Sequence, residues 1–513
     1  MRKPALICAL LACALSTGAQ EAIPPIFGEM RPGPHAVGFR IMELRDESRP
    51  VRSKKNYYGE VDSSDRSRVI AVHLWYPAAP SSAARMTYGD VMDTTQPEAQ
   101  RVAGRAARRT FMDPRFGRVT DEAWERLLNS PLLAVRDAAP AAGKFPLLLG
   151  TLRPLSTELT NEYLASHGYV VAMTFAAPSQ LARNYSQNME MLVRDLEFTW
   201  AHLRKQPMVD GSRLGLYGFS GAGFAQFLMA MRNPDVDAIA DLESAIFGIP
   251  DFFNSYGYDP KALRIPFLHT YSVSVAKLDK YLDEFDKMKF SQRFHFLVDP
   301  PQNDHWDFAT EGMAANTVLG LRPQAAPLLR KSFEMTNLYL LNFFNAFIKG
   351  DAAGLAFLRR DTSANGAPEK LVTMRELPGL RAAPGAADLN LIAEREGIAQ
   401  AMKVFTEGHR NEPDARIFTE QQVNALAYAL LNQGKLREAL EFFKWNAQSY
   451  PASANAQDSL AEAYERAGEL ALARKSSEAA MAAAETQPGL QDARRAELKE
   501  LQLRRLERLR ARQ

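Results

Sequence analysis

Cysteine is almost missing from this chain: 513 residues carry two, Cys8 and Cys13, and both sit in the leading stretch "MRKPALICALLACALSTGAQ". That stretch has a basic start (Arg2, Lys3), an apolar core over 5–15 and small residues at Thr17, Gly18 and Ala19, the pattern of a secretory signal cleaved near Ala19. Cleavage would remove both thiols, which excludes a disulfide framework, a thiolate nucleophile and a cysteine-built zinc site. A rival reading makes Cys13, in "LLAC", a lipid-modified residue, and it requires an unusually short signal. The expectation is an exported protein, periplasmic or secreted.

Long apolar runs are also absent after the leader, so no segment is expected to span a membrane, which takes about 18 or more apolar residues. Nor does either charge sign dominate. Lys and Arg total 62 against 60 Asp and Glu, and loss of residues 1–19 takes Arg2 and Lys3 and leaves the signs balanced. No global field favours nucleic acid or an anionic surface. With 46% apolar and 24% charged residues, the chain has the composition of a globular protein rather than a disordered one.

At this length two domains are expected, one of them large. The run 69–76 reads as an early strand, and 82–143 is mixed, with a helical pattern at "DEAWERLLNS"; it is either an insertion near a pocket or plain packing. Then strands and helices alternate. Strand "FPLLLG" (145–150), a helix over 155–166 and strand "GYVVAMTF" (168–175) are followed by a helix with Leu192, Leu196, Trp200 and Leu203 on one face, and then by strand "RLGLYGF". Strands "VDAIADL", "RIPFLHTY" and "RFHFLV" and a long helix near 333–347 complete the pattern. Alternation of this kind predicts βαβ units, a mostly parallel sheet and the α/β class.

The large domain is expected over 24–365 and an Ala/Gly/Pro-rich linker over 366–390. Residues 391–513 are helical and repetitive: Gly434 and Gly468 stand 34 residues apart, and the same offset pairs Ala427 with Ala461, Leu436 with Leu470 and Ala439 with Ala473. With Phe443 and Pro451 added, the stretch resembles tetratricopeptide repeats, and the resemblance implies docking of a protein partner or self-association. Residues 391–418 would supply a leading helix pair, and "RRAELKELQLRRLERLRARQ" a capping helix with surplus positive charge.

The chemistry-bearing stretch is "GLYGFSGAGF" (215–224), which nearly spells G-x-S-x-G but has Ala222 at the second glycine. An apolar strand leads in and an amphipathic helix (Phe224, Phe227, Leu228, Met231) leads out, the setting of a nucleophile on a sharp strand-to-helix turn. Small neighbours are required there, and alanine suffices. Ser220 is therefore the candidate nucleophile, with the Gly221 backbone N–H aimed at an oxyanion.

A serine needs a base, and of the eight histidines only three follow Ser220 within this domain. His269 and His295 lie inside strands. His305, in the polar loop "PPQNDHWDF", is the candidate base. The acid that would orient it commonly follows the next-to-last strand, but "FLHTYSVSVAKLDK" holds no acid before Asp279. One strand earlier, "VDAIADLES" ends with Asp241 and Glu243, which share a strand face. Glu243 is preferred because it lies nearer the C-terminal edge, where such sites assemble.

Across roughly residues 60–310, the stretches "VHLWYP", "FPLLLG", "EYLASHGYVV", "RLGLYGFSGAG", "VDAIADLES" and "DHWDF" resemble α/β-hydrolases of the dienelactone hydrolase and platelet-activating-factor acetylhydrolase-like branch. The resemblance implies an acid at about the spacing that separates Ser220 from Glu243, although the branch usually has aspartate there. It also implies a second oxyanion donor after "FPLLLG", where many relatives carry His-Gly and this chain reads "GTLRPLS"; the backbone of Thr151 or Leu152 would supply it. The expected function is carboxylic ester hydrolysis of a small-molecule substrate through an acyl-enzyme, without metal or organic cofactor. An amide hydrolase or acyltransferase on the same residues, and a catalytically weak platform for the repeats, are the alternatives.

Overall fold

The computed structural model describes residues 22–49, 67–94, 100–151, 156–175, 185–244, 258–277, 281–412 and 419–511, with Lys55 and residues 58–61. The expected signal, Cys13 and Leu152 lie outside the described residues. Two compact units divide the chain, Met1–Gly379 and Leu380–Gln513. Among the described residues no helix is long and apolar enough to cross a membrane.

The described part of the first unit is built on ten strands in one sheet: β1 (Ala36–Asp46), β2 (Arg68–Ala78), β3 (Ala134–Arg136), β4 (Phe145–Thr151), β5 (Val170–Phe175), β6 (Val209–Phe219), β7 (Ala238–Leu242), β8 (Phe267–Ser272), β9 (Arg293–Val298) and β10 (Val372–Leu377). Their order is β10-β9-β8-β7-β6-β4-β5-β2-β1-β3. From β5 through β9 the neighbours are parallel, while β2 runs antiparallel to both β5 and β1 and β10 runs antiparallel to β9. The chain goes from β4 to β5 on one side and returns to β6 on the other, so a crevice opens at the C-terminal ends of β4 and β6.

Continuous apolar runs make these central strands because both sheet faces are covered. Along β4, Leu147 and Leu149 point to one side and join Leu214, Leu216, Ile239 and Phe267 under the helices Tyr185–Leu203 and Gly223–Arg232. Leu148 points to the other and joins Val171, Tyr217, Ala240 and Leu268 under the helices Glu158–Ser166 and Ala326–Phe347. Helical spacing places Val193, Leu196, Trp200 and Leu203 on the buried stripe of the first of these helices. A mostly parallel sheet clad on both faces, with a serine at a strand-to-helix turn, is the α/β-hydrolase fold.

One boundary differs from the sequence expectation. Residues 366–390 are not a linker throughout: β10 lies within them, and buried Leu371 and Val372 join the sheet's core. Pairing with β9 covers what would otherwise be an exposed edge of backbone groups.

In the second unit, helices Ala386–Glu396 and Ile398–Asn411 precede two helical hairpins, Glu420–Asn432 with Leu436–Ser449 and Ala454–Arg466 with Leu470–Thr486. Ala427, Ala439, Ala461 and Ala473 are all fully buried, as helices that approach closely require. The helix Asp492–Ala511 uses its charge internally: Arg505 pairs with Asp458 at 2.6 Å, and Arg508 reaches Glu465 at 3.2 Å.

Gly434 and Gly468 turn the two hairpins at the same φ of 77°, and nothing lies within 4 Å of where either Cβ would stand. An alanine there meets only backbone strain. Gly434→Ala and Gly468→Ala are each expected to destabilise the helical unit by about 1–2 kcal/mol in denaturant unfolding.

Candidate active site

The apolar strand β6 ends at Phe219, and the chain turns at once through a 3-10 turn, Ser220–Ala222, into the helix Gly223–Arg232. Ser220 takes a φ of 55°, left-handed backbone that side-chain-bearing residues seldom adopt. Space is as tight as an elbow requires. A Cβ at Gly218 would run into the Gln226 side chain, and one at Gly223 into Ser244 Oγ. Gly223, one residue beyond Ala222, is thus where the exit side of the turn has no room for a side chain.

His305 opens the 3-10 turn His305–Phe308, which a capping box fixes. Asp304 Oδ1 accepts from the Trp306 N–H at 3.0 Å, and Asp307 Oδ2 accepts from the Asp304 N–H at 2.8 Å. Arg322 holds Asp307 through two contacts, at 2.6 and 3.0 Å. The two aspartates beside His305 in sequence therefore build its loop and leave the ring nitrogens to other partners.

Those partners are Ser220 and Glu243. His305 Nε2 lies 2.8 Å from Ser220 Oγ, and His305 Nδ1 lies 2.9 Å from Glu243 Oε2. Glu243 is wholly buried, whereas the His305 side chain is 29% exposed. The other carboxylate oxygen of Glu243 accepts from the Ser272 hydroxyl and, at 3.3 Å, from the Ser272 N–H. Ser272 ends β8, the strand end at which the sequence holds no acid before Asp279.

Asp241, the alternative acid, faces elsewhere. Its Oδ1 is 2.6 Å from His269 Nδ1, on β8. Strand alternation would put residues 241 and 243 on one face, but β7 ends at Leu242 and Glu243 has a φ of 49°, so the alternation stops there. His295, on β9, is buried, and burial beside His269 and Arg293 lowers its pKa to about 3, which keeps it neutral.

A cavity of about 80 Å³ opens beside Ser220, lined among others by Thr151, Thr157, Met173 and Trp306. Thr151 ends β4, so the strand that precedes "LRPLS" brings its last residue to the cavity beside Ser220. Aromatic packing frames the imidazole: Phe219 stacks on His305 at 4.7 Å between centroids, and Trp306 meets Phe219 edge-on at 5.4 Å. Phe111, from the helix Arg101–Phe116, meets Trp306 edge-on at 4.6 Å. The mixed segment 82–143 thus reaches the pocket wall. Sequence pattern does not signal that helix, because its polar composition hides a single apolar edge at Met112 and Phe116.

The helices Glu158–Ser166 and Thr310–Asn316 carry a buried acidic group. Glu158, Glu162 and Glu311 are fully enclosed, and Arg108 forms an ion pair with Glu311. Burial raises the pKa of Glu162 to about 8 and of Glu311 to about 7, despite a hydrogen bond from the Leu133 N–H to Glu162 and the Arg108 charge beside Glu311.

No family model matches the chain, and no curated protein sequence matches it. Among solved structures, a ferulic acid esterase from Streptomyces cinnamoneus is similar to it with a TM-score of 0.46 and 21% identity, over 66% of this chain and 96% of that one.

The pKa of Glu162 sets a stability prediction. A carboxyl whose folded pKa exceeds its unfolded value binds protons more tightly when folded. Its contribution is full below about pH 4.5 and is lost as pH rises toward 8. Glu162→Gln, which keeps an acceptor for the Leu133 N–H, is expected to flatten the fall of Tm between pH 5 and 8 and to melt above wild type at pH 8.

Proposed function

We propose that this chain is an exported serine hydrolase that cleaves small-molecule carboxylic esters, with Ser220 as nucleophile, His305 as base and Glu243 as the acid that orients it. The observation that carries this reading is the hydrogen-bonded line from Glu243 through His305 to Ser220, drawn from the ends of β7, β9 and β6. A branch assignment to the dienelactone hydrolase and platelet-activating-factor acetylhydrolase-like enzymes is supported by an acid that follows β7 rather than β8. The matching φ of Gly434 and Gly468 supports a tetratricopeptide-like reading of the helical unit.

In the proposed reaction, Ser220 Oγ attacks the ester carbonyl while His305 Nε2 takes its proton. Glu243 accepts from His305 Nδ1–H, fixes the tautomer and stabilises the imidazolium. Negative charge on the former carbonyl oxygen is met by backbone N–H groups of Gly221, at the start of the helix, and of Thr151, at the end of β4. Collapse of the tetrahedral adduct expels the alcohol, which leaves with the proton held by His305. Water then enters, gives its proton to Nε2 and attacks the acyl-enzyme, and a second collapse frees the carboxylic acid and returns the proton to Ser220 Oγ.

The test is a fluorophosphonate probe together with short- and long-chain aryl esters on the mature protein. Wild type is expected to label, Ser220→Ala to lose both labelling and turnover, and Glu243→Gln to lose about 10⁴ in kcat. Labelling that persists in Ser220→Ala, or none in wild type, overturns the assignment.

A further inference from the structure

We infer that Asp241 and His269 form a positioning couple that aims Glu243 at His305; the inference rests on Glu243 being the acid of the proposed triad. Both side chains are wholly buried and bridge neighbouring strands, Asp241 being directly paired with His269 in the β7–β8 register. His269 Nδ1–H donates to Asp241 Oδ1 at 2.6 Å, and the Ser244 N–H donates to Asp241 Oδ2 at 3.0 Å. Asp241 therefore closes a turn over residues 241–244 with its side chain, as aspartate does where backbone partners run out. Glu243 is inside that turn.

The turn is also held from β8 and from the helix beyond Ser220. Glu243 N–H donates to Thr270 O, the residue after His269, at 2.7 Å. The His269 ring stacks between Phe285, at 3.7 Å, and Tyr271, at 4.6 Å, so the imidazole that grips Asp241 is itself fixed. Ser244 lies against Gly223, the first residue of the helix beyond Ser220. Through Ser244 the couple thus sets the position of the Glu243 turn against the nucleophile turn as well as its direction.

A purely structural role explains less. A buried polar pair of this kind adds little to stability over an apolar pair of the same volume. What an apolar pair at 241 and 269 cannot do is accept the Ser244 N–H, a contact that sits beside Glu243 in the chain. Asp241 and His269 touch neither Ser220 nor the cavity beside it; they act through Glu243.

The experiment compares Asp241→Ala, Asp241→Asn and the double variant D241L/H269F with wild type, each also in the Glu243→Gln background. Active sites are counted by fluorophosphonate titration. Asp241→Ala is expected to lower kcat per titrated site about 10- to 100-fold at unchanged KM. Asp241→Asn, which keeps an oxygen for the Ser244 N–H, is expected to recover most of that loss. D241L/H269F leaves neither side chain of the couple without its partner, so it tests the couple in a folded protein even where Asp241→Ala misfolds; it is expected to show the same fall.

In the Glu243→Gln background these changes are expected to add less than about threefold, because residues that act through one another are not additive. Wild-type kcat per site in D241L/H269F, or a fall of full size in the Glu243→Gln background, overturns the couple and leaves the triad standing. Wild-type kcat in Glu243→Gln alone overturns the triad itself.

Discussion

Two side-chain-bearing residues leave adjacent parallel strands with left-handed backbone, Ser220 at φ 55° and Glu243 at φ 49°. Each such residue stores on the order of 1–3 kcal/mol of strain, which persists only where the surroundings over-determine it. Here the surroundings are β6 and β7, paired parallel with Phe219 opposite Leu242, so that both turns begin at one level of the sheet. The Gly218 and Gly223 contacts leave no slack on the serine side, and two buried strands leave none on the other. From that shared level a hydroxyl and a carboxylate can both reach one imidazole.

The third arm is made differently. His305 is not strained but capped, in a turn closed by Asp304 and Asp307 and anchored by Arg322. Residues one or two positions from a histidine in a 3-10 turn are spent on backbone donors, so the acid that meets Nδ1 comes from 62 residues away in sequence. Phe219 and Trp306 then limit how the ring can tilt, and Phe111 holds Trp306 from outside the sheet. A local device places the imidazole, and long-range packing orients it.

What could be read from the sequence follows from the same division. The Ser220 turn was legible because all its determinants are local: an apolar strand, small residues and an amphipathic helix within twenty or so positions. The central strands were legible because burial on both faces writes an unbroken apolar run. β1 and β10 were not, since strands with one covered side mix exposed and buried residues, as in the pattern of β10, where Val372 is buried and Thr373 exposed. The choice between Asp241 and Glu243 was left open by strand alternation and depends on one positive φ that no pattern signals. Ser272 carried no mark at all, because a serine at a strand end has meaning only beside the carboxylate it serves.

That serine also satisfies a fully buried carboxyl group. An enclosed carboxylate is costly unless its oxygens are hydrogen-bonded. Glu243 has one oxygen on His305 Nδ1 and the other on the Ser272 hydroxyl and N–H, so neither is orphaned. With the acid at the end of β7, the end of β8 is free to supply those donors. The imidazole between is 29% exposed, so solvent reaches the ring but not the carboxylate. In the proposed reaction that access is what lets water give its proton to the imidazole and release an acyl-enzyme.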